Sequence, residues 1–389
     1  MTVDFDRITD RHGTYAEKWD IRDGELPMWV ADMELETAPC VRKAIEKRAS
    51  HGIYGYTGLP DSFYEAYISW WRDRHGLVFS REHMIYSTGV VATLSSVVRK
   101  LTTPGENVLI LTPCYNIFYN SILNNGRVPW ECELSYADGE YSIDFELLER
   151  GLSDPQTSLM ILCDPNNPTG NIWDRDTLAR IGELAYRYGV TVVSDEIHCD
   201  LTSPGVGYVP FASVNDLNRE ISVTCLSPGK TFNVAGLHTS AAVVYDERLR
   251  HKVWRGLNTD ECGEPNAFAV DAVIAAFTEG GEWVDKLREH LQRNRDIAEE
   301  FIGREMPRAT AVKSRSTYLL WIDLRYAGLS MPAEDIRSRT GLFLSEGSIY
   351  GKGGKGFVRM NIACPLAYLE DGLQRLKRWD GLVKPEQTV

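Results

Sequence analysis

Short, unbroken apolar runs recur through the middle of this chain at Val108–Leu111, Leu159–Leu162, Thr191–Val193, Ile221–Leu226 and Ala241–Val244. Runs that are apolar at every position, and not at alternate ones, suit strands buried on both faces. Between them lie segments with apolar residues at helical spacing, among them Val90–Lys100 and Thr177–Tyr188. Strands interleaved with helices predict βαβ crossovers and a mostly parallel, doubly wound sheet. Ahead of this region, Cys40 to Ala49 has helical spacing, and Gly52, Gly55 and Gly58 punctuate an aromatic loop, HGIYGYTGLP. The next helix presents Phe63, Tyr67, Trp70 and Trp71, with Asp61 or Ser62 as its expected cap.

After Pro265 the pattern turns helical, first in PNAFAVDAVIAAFTEG and then from Trp283 to about Met306, a length suited to bridging two domains. Beyond it, short strands (Tyr318–Asp323, Phe357–Ala363) mix with helices (Ala333–Arg339, Leu366–Trp379), the makeup of a smaller α+β domain. The expected organisation is an N-terminal segment, 1–45, packing with the small domain; a large α/β domain, 46–285; and the small C-terminal domain, 286–389.

Composition narrows the function. A net charge of −13 repels nucleic acid and anionic membrane surfaces, so neither is an expected partner. An anionic ligand would need a local site of backbone N–H groups and a few cations. The eight cysteines include no CxxC pair and several lie in apolar runs, and no signal-peptide or membrane-spanning pattern is present. Together these features predict a reduced, cytoplasmic protein.

Four strand ends carry chemistry. Val108–Leu111 runs into TPCY, Leu159–Leu162 into CDPNNPTG, Thr191–Val193 into SDEIH, and Ile221–Leu226 into Ser227, a Pro-Gly turn and Lys230. One aromatic, one amide, one carboxylate and one amine thereby meet along one sheet edge, where open α/β folds bind ligands. Gly89, at the start of the helix after YST, leaves N–H groups free for a phosphate. Singly each has a bland reading, as cap, turn or packing residue. Jointly they suit one ligand, a phosphorylated pyridine aldehyde, with Lys230 partly desolvated and able to form a Schiff base.

The motif order TGVV, TPCY, DPNNPTG, SDEIH, SPGK and GFVRMNIACP resembles the fold-type I pyridoxal-phosphate enzymes, the aspartate aminotransferase superfamily. The stretches LPMWVADMEL, KRASHGIYGYTG, SDEIHCDL and GKTFNVAGLHTS narrow the resemblance to the MalY/PatB group of cystathionine β-lyases, or C–S lyases. The resemblance implies pyridoxal 5′-phosphate joined to Lys230, with Asp195 at the pyridinium nitrogen. Asn167 and His198 would meet the ring's phenolic oxygen, and Tyr115 and Ile197 would flank the ring. Ser227 and the amides of Gly89, Val90 and Val91 would hold the phosphate. Arg359, with Asn167, would take the substrate carboxylate, and Tyr56 would cross from a partner in a homodimer with shared active sites. Lys230, Tyr115 and Asp195 are the expected catalytic set. One departure stands out: His238 occupies a position, eight after the lysine, where many aminotransferases have an arginine.

The implied reaction is α,β-elimination from L-cystathionine or another S-substituted cysteine to pyruvate, ammonia and a thiol. Aminotransferase activity and a regulatory role on the same scaffold are the alternatives. No metal is expected: in an extended strand Asp195 would face away from Glu196, His198 and Asp200. The GKGGKG stretch at 351–356 precedes a strand, which excludes a dinucleotide fingerprint and leaves a flexible loop before Arg359.

Overall fold

The structure is a computed structural model and describes residues 3–383. Its centre is a seven-stranded sheet in the order Met84–Ser87, Ser240–Val243, Ser222–Leu226, Thr191–Asp195, Thr157–Cys163, Asn107–Thr112, Val128–Glu133. All neighbours pair in parallel except Ser240–Val243, which is antiparallel to both of its own. Val108, Leu109, Ile110, Leu159, Met160, Val192 and Val193 have no exposed surface, as strands covered by helices on both faces require. The direction of winding reverses between Asn107–Thr112 and Thr157–Cys163, so the loops after Thr112 and Cys163 part and open a crevice. In register, Cys163, Asp195 and Cys225 lie side by side, which brings three strand ends level at that crevice.

Two edge strands, Met84–Ser87 and Val128–Glu133, are absent from the sequence expectation. The strand expected from Ile221 begins at Ser222, because Ile221 closes a short helix, Asp216–Ile221. The cap expected at Asp61 or Ser62 does not form. The helix begins at Asp61 after Pro60 with no side-chain cap bond, and Asp61 pairs instead with Arg81.

The helix Gly281–Glu305 is 25 residues long and buries Trp283, Val284, Leu287, Leu291, Ala298 and Ile302 along one stripe. The boundary drawn from sequence at 285/286 falls inside it. It leads to a four-stranded antiparallel sheet, Thr310–Ala311, Leu319–Asp323, Phe357–Asn361, Ser345–Glu346 in spatial order. The N-terminal segment joins this part through Leu26–Pro27, which pairs in parallel with Leu342–Phe343. Residues 351–356 form tight packed turns where a flexible loop was expected. The Gly347 and Gly354 backbones approach so closely that a Cβ on either would lie 2.2 Å from the other's carbonyl oxygen. No helix among the described residues is long and apolar enough to cross a membrane.

Candidate active site

A cavity of about 270 Å³ opens at the carboxyl edge of the large sheet. Its walls include Gly89, Val90, Val91, Tyr115, Asn167, Asp195, Ile197, His198, Ser227 and Lys230. These ten come from five separate strand ends, and the parallel register brings them together. Arg359, on the strand Phe357–Asn361, adjoins them: its Nη1 donates to Asn167 Oδ1 at 2.9 Å. Its Nη2 donates to Trp29 O at 2.7 Å and to Ser345 Oγ at 3.3 Å, while Nε is buried without a partner.

Tyr56 is not in this cavity. It is fully exposed, at 104%, in the loop before the helix Asp61–His75, and lines a separate surface hollow with Gly263, Glu264 and Pro265.

Lys230 follows the Pro228-Gly229 turn, which Ser227 braces by accepting from Gly229 N–H at 3.0 Å and donating to Thr239 O at 2.8 Å. The lysine lines the cavity and is half-buried. Burial, with Arg359 nearby, pulls its amine down to about 8, although Asp32 and Asp195 act the other way. The buried Asp195 carboxyl is pushed up to about 6 by desolvation, against the pull of Ile197 N–H (3.3 Å) and Lys230. His198 is pushed down to about 3 by burial, then by Lys230 and Arg359, so its imidazole is neutral. Burial raises the Tyr115 hydroxyl to about 12, which keeps it protonated.

The cavity has unmet needs of its own. His198 Nδ1 and Thr239 Oγ1 are buried in its wall with no hydrogen-bond partner. Asp195 has only the long bond from Ile197 N–H. Gly89 precedes the helix Val90–Leu101 with no side-chain cap, and a Cβ there would meet nothing within 4 Å. The first N–H groups of that helix therefore face open space. A flat heterocycle bearing a basic nitrogen, a ring oxygen, an aldehyde and a phosphate answers each of these, so the residues fit the expected cofactor.

The strand-alternation argument made from sequence against a metal does not carry over to the structure. The strand stops at Asp195, so strand alternation does not extend to His198 or Asp200. Glu196 turns to Ser194 Oγ (2.8 Å) and Phe211 N–H (3.0 Å). Asp200 is closed off in a knot with His75 Nε2 (2.8 Å), Thr231 Oγ1 (3.0 Å) and Trp70 Nε1 (3.1 Å). Cys199 lies near His75 and Asp200, but protein donors already occupy that carboxylate.

Sequence reasoning missed Ala31, Thr239 and Tyr318. Ala31 O accepts from Lys230 Nζ at 2.6 Å and from the Tyr318 hydroxyl at 3.0 Å. The one signal for Ala31 was its apolar N-terminal segment, too short and Pro-interrupted to stand alone.

A doubly wound sheet with an amine, a carboxylate and an uncapped helix end at its carboxyl edge defines a cofactor-dependent α/β enzyme architecture. The chain belongs to the aminotransferase class I and II family, whose pattern it matches over residues 28–376. It is 42% identical over 384 residues to cystathionine beta-lyase PatB of Bacillus subtilis, spanning 96% of this chain and 99% of that one. To Protein MalY of Escherichia coli it is 32% identical, over 96% and 97% of the two chains. Among solved structures, cystalysin from Treponema denticola, which contains pyridoxal 5′-phosphate, superposes with a TM-score of 0.95 at 31% identity, covering 99% of this chain and 100% of the other.

Proposed function

We propose that this chain is a pyridoxal 5′-phosphate-dependent C–S β-lyase acting on L-cystathionine or a related S-substituted cysteine. The observation that carries this reading is the joint placement of Lys230, Asp195 and the Asn167–Arg359 pair around one cavity. When bound, the cofactor supplies an electron sink for a carbanion at the substrate's Cα.

The protein's part is to hold, orient and move protons. Lys230 tethers the cofactor covalently, and its lowered pKa makes the neutral amine available near physiological pH. Asp195, short of donors, would accept from the protonated ring nitrogen and keep it protonated. His198 and Asn167 would meet the cofactor's phenolic oxygen, and Tyr115 and Ile197 would flank its ring. Ser227 with the Gly89, Val90 and Val91 amides takes the phosphate, where the helix dipole adds to the N–H bonds. Arg359 would grip the substrate carboxylate through a two-pronged contact and so orient the bonds at Cα. Lys230, once free of the cofactor, takes the Cα proton. The Cβ–S bond breaks with its electron pair leaving on sulfur, and water completes the net conversion to pyruvate, ammonia and the thiol. Tyr56 completes the neighbouring site in a homodimer.

Purified protein loaded with cofactor and given L-cystathionine without any added keto acid should release pyruvate and free thiol in equal amounts. Amino-group transfer to an added keto acid, with no thiol release, would favour an aminotransferase. Lys230→Ala should abolish both turnover and covalent retention of the cofactor. Retention of full activity would remove the assignment.

A further inference from the structure

The N-terminal segment passes beside the cavity with its carbonyls individually held. Trp29 O accepts from Arg359, Val30 O and Asp32 O from Asn361 Nδ2 at 2.7 and 2.6 Å, and Met33 O and Leu35 O from Asn233 Nδ2 at 3.0 and 2.9 Å. Ala31 O takes two donors, the Lys230 amine at 2.6 Å and the Tyr318 hydroxyl at 3.0 Å, as Asp32 O does with Asn361 Nδ2 and with Lys18 Nζ at 3.1 Å, but at Ala31 one of the two donors is the cavity lysine. A peptide oxygen has two lone pairs, so both places on it are filled.

Tyr318 is held there at a cost. It is fully buried, its ring packs edge-on to His198 with centroids 6.1 Å apart, and burial raises its hydroxyl so far that it stays a donor. The residue before it, Thr317, has φ of 63°, a left-handed conformation that a β-branched side chain strongly disfavours. Such strain persists only where the surroundings over-determine it. Here Thr317 N–H donates to Leu201 O at 2.8 Å, and Thr317 O accepts from Arg295 Nη2 at 2.5 Å, a buried guanidinium. This left-handed residue directly precedes Tyr318, whose hydroxyl reaches Ala31 O.

We propose that Tyr318 is a positioning residue for Lys230: by occupying one lone pair of the Ala31 carbonyl, it limits how tightly that carbonyl can hold the lysine as an ammonium. The inference rests on the reading of Lys230 as the cofactor-bearing lysine. Lys230 has to be neutral to take the Cα proton, and afterwards it needs an acceptor for the ammonium it becomes. Ala31 O is such an acceptor, and a second donor on the same oxygen weakens its hold on the charged form. The charged neighbours of Lys230 act on it in both directions. Arg359 from the small sheet and Lys18 from the N-terminal segment disfavour the ammonium, while Asp32 and Asp195 favour it. His198 is neutral.

The test uses the full chain stripped of cofactor. The rate of reductive methylation of Lys230, followed by peptide mass spectrometry, is measured against pH in the natural protein, in Tyr318→Phe and in a protein carrying 3-fluorotyrosine at 318. Loss of the hydroxyl frees the carbonyl for the ammonium, so the midpoint in Tyr318→Phe should rise by about half a pH unit or more, the scale of one ordinary hydrogen bond. Fluorotyrosine is the stronger donor, keeps the fold's hydrogen bond and should shift the midpoint downward. In cofactor-loaded Tyr318→Phe the alkaline shift should appear in the pH profile of kcat with KM little changed. An unchanged midpoint in both proteins, or a downward shift in Tyr318→Phe, would overturn the proposal. Because methylation needs neither cofactor nor substrate, such a result with pyruvate release intact sinks this inference alone, whereas no pyruvate from the natural holoenzyme sinks the lyase reading.

Discussion

Asp195, proposed above to hold the cofactor, works against the stability of the empty protein. Its carboxyl sits at about 6 in the fold against an ordinary 3.8, because burial penalises the charge more than Ile197 N–H and Lys230 relieve it. The sign follows directly. Between about pH 4 and pH 6 the folded chain binds this proton more tightly than the unfolded chain, so stability falls as pH rises through that window and the full penalty stands above it. Asp195→Asn should therefore stabilise the cofactor-free protein above about pH 6, by roughly 1–3 kcal/mol, and have almost no effect near pH 4. Urea denaturation at the two pH values measures the difference. On the proposal that Asp195 pairs with the cofactor's ring nitrogen, the order reverses with cofactor present: the Asp195→Asn variant should release cofactor faster in dialysis. Equal stability of variant and parent at neutral pH would mean that Lys230 already compensates the charge.

Among the elements, the helix Val90–Leu101 carries the phosphate proposal through its backbone, which allows a test that leaves side-chain chemistry alone. Val90 is the first helical residue, where proline is tolerated because its N–H has no intrahelical partner. Val90→Pro should keep the helix, lower Tm modestly through lost packing of a buried valine, and weaken cofactor binding about tenfold, the worth of one charge-assisted hydrogen bond. Unchanged affinity for cofactor, measured by titration of the stripped protein, would count against the helix end as the phosphate site. Central strands were readable because double-sided burial writes itself as consecutive apolar residues, and the parallel ones from Asn107, Thr157, Thr191 and Ser222 lead at their carboxyl ends into segments that carry cavity-lining residues. The edge strands escaped for physical reasons. Val128–Glu133 reads VPWECE, with a proline and two glutamates that an edge tolerates and a centre does not, and Met84–Ser87 is only four residues long. Tyr318 and Ala31 were invisible for another reason: their role passes through a backbone carbonyl, which every residue possesses, and a left-handed threonine that no composition rule anticipates.

At the scale of the whole molecule, one chain leaves apolar surface that a single copy does not use. Tyr56 is fully exposed, Ile53 is 70% exposed, and Tyr54 and Val91 are also open to solvent. Val91 lies at the helix end that lines the cavity. If a second copy covers this apolar surface and lends Tyr56 across the interface, two different defects should complement. In a hybrid of one Lys230→Ala subunit and one Tyr56→Phe subunit, one site then carries both lesions while the other has an intact lysine from its own chain and an intact tyrosine from its partner. Equal amounts of two nearly inactive proteins, unfolded together and reassembled, would give hybrids in half of all dimers and restore about a quarter of natural activity, as random pairing in a two-fold dimer dictates. A tyrosine acting within its own chain leaves no intact site in any hybrid, because each chain then carries one lesion in its own site. Activity of the mixture that stays at the mean of the two separate variants, with hybrids verified by native mass spectrometry, would thus place Tyr56 outside the partner's site and reduce the exposed surface to an ordinary interface.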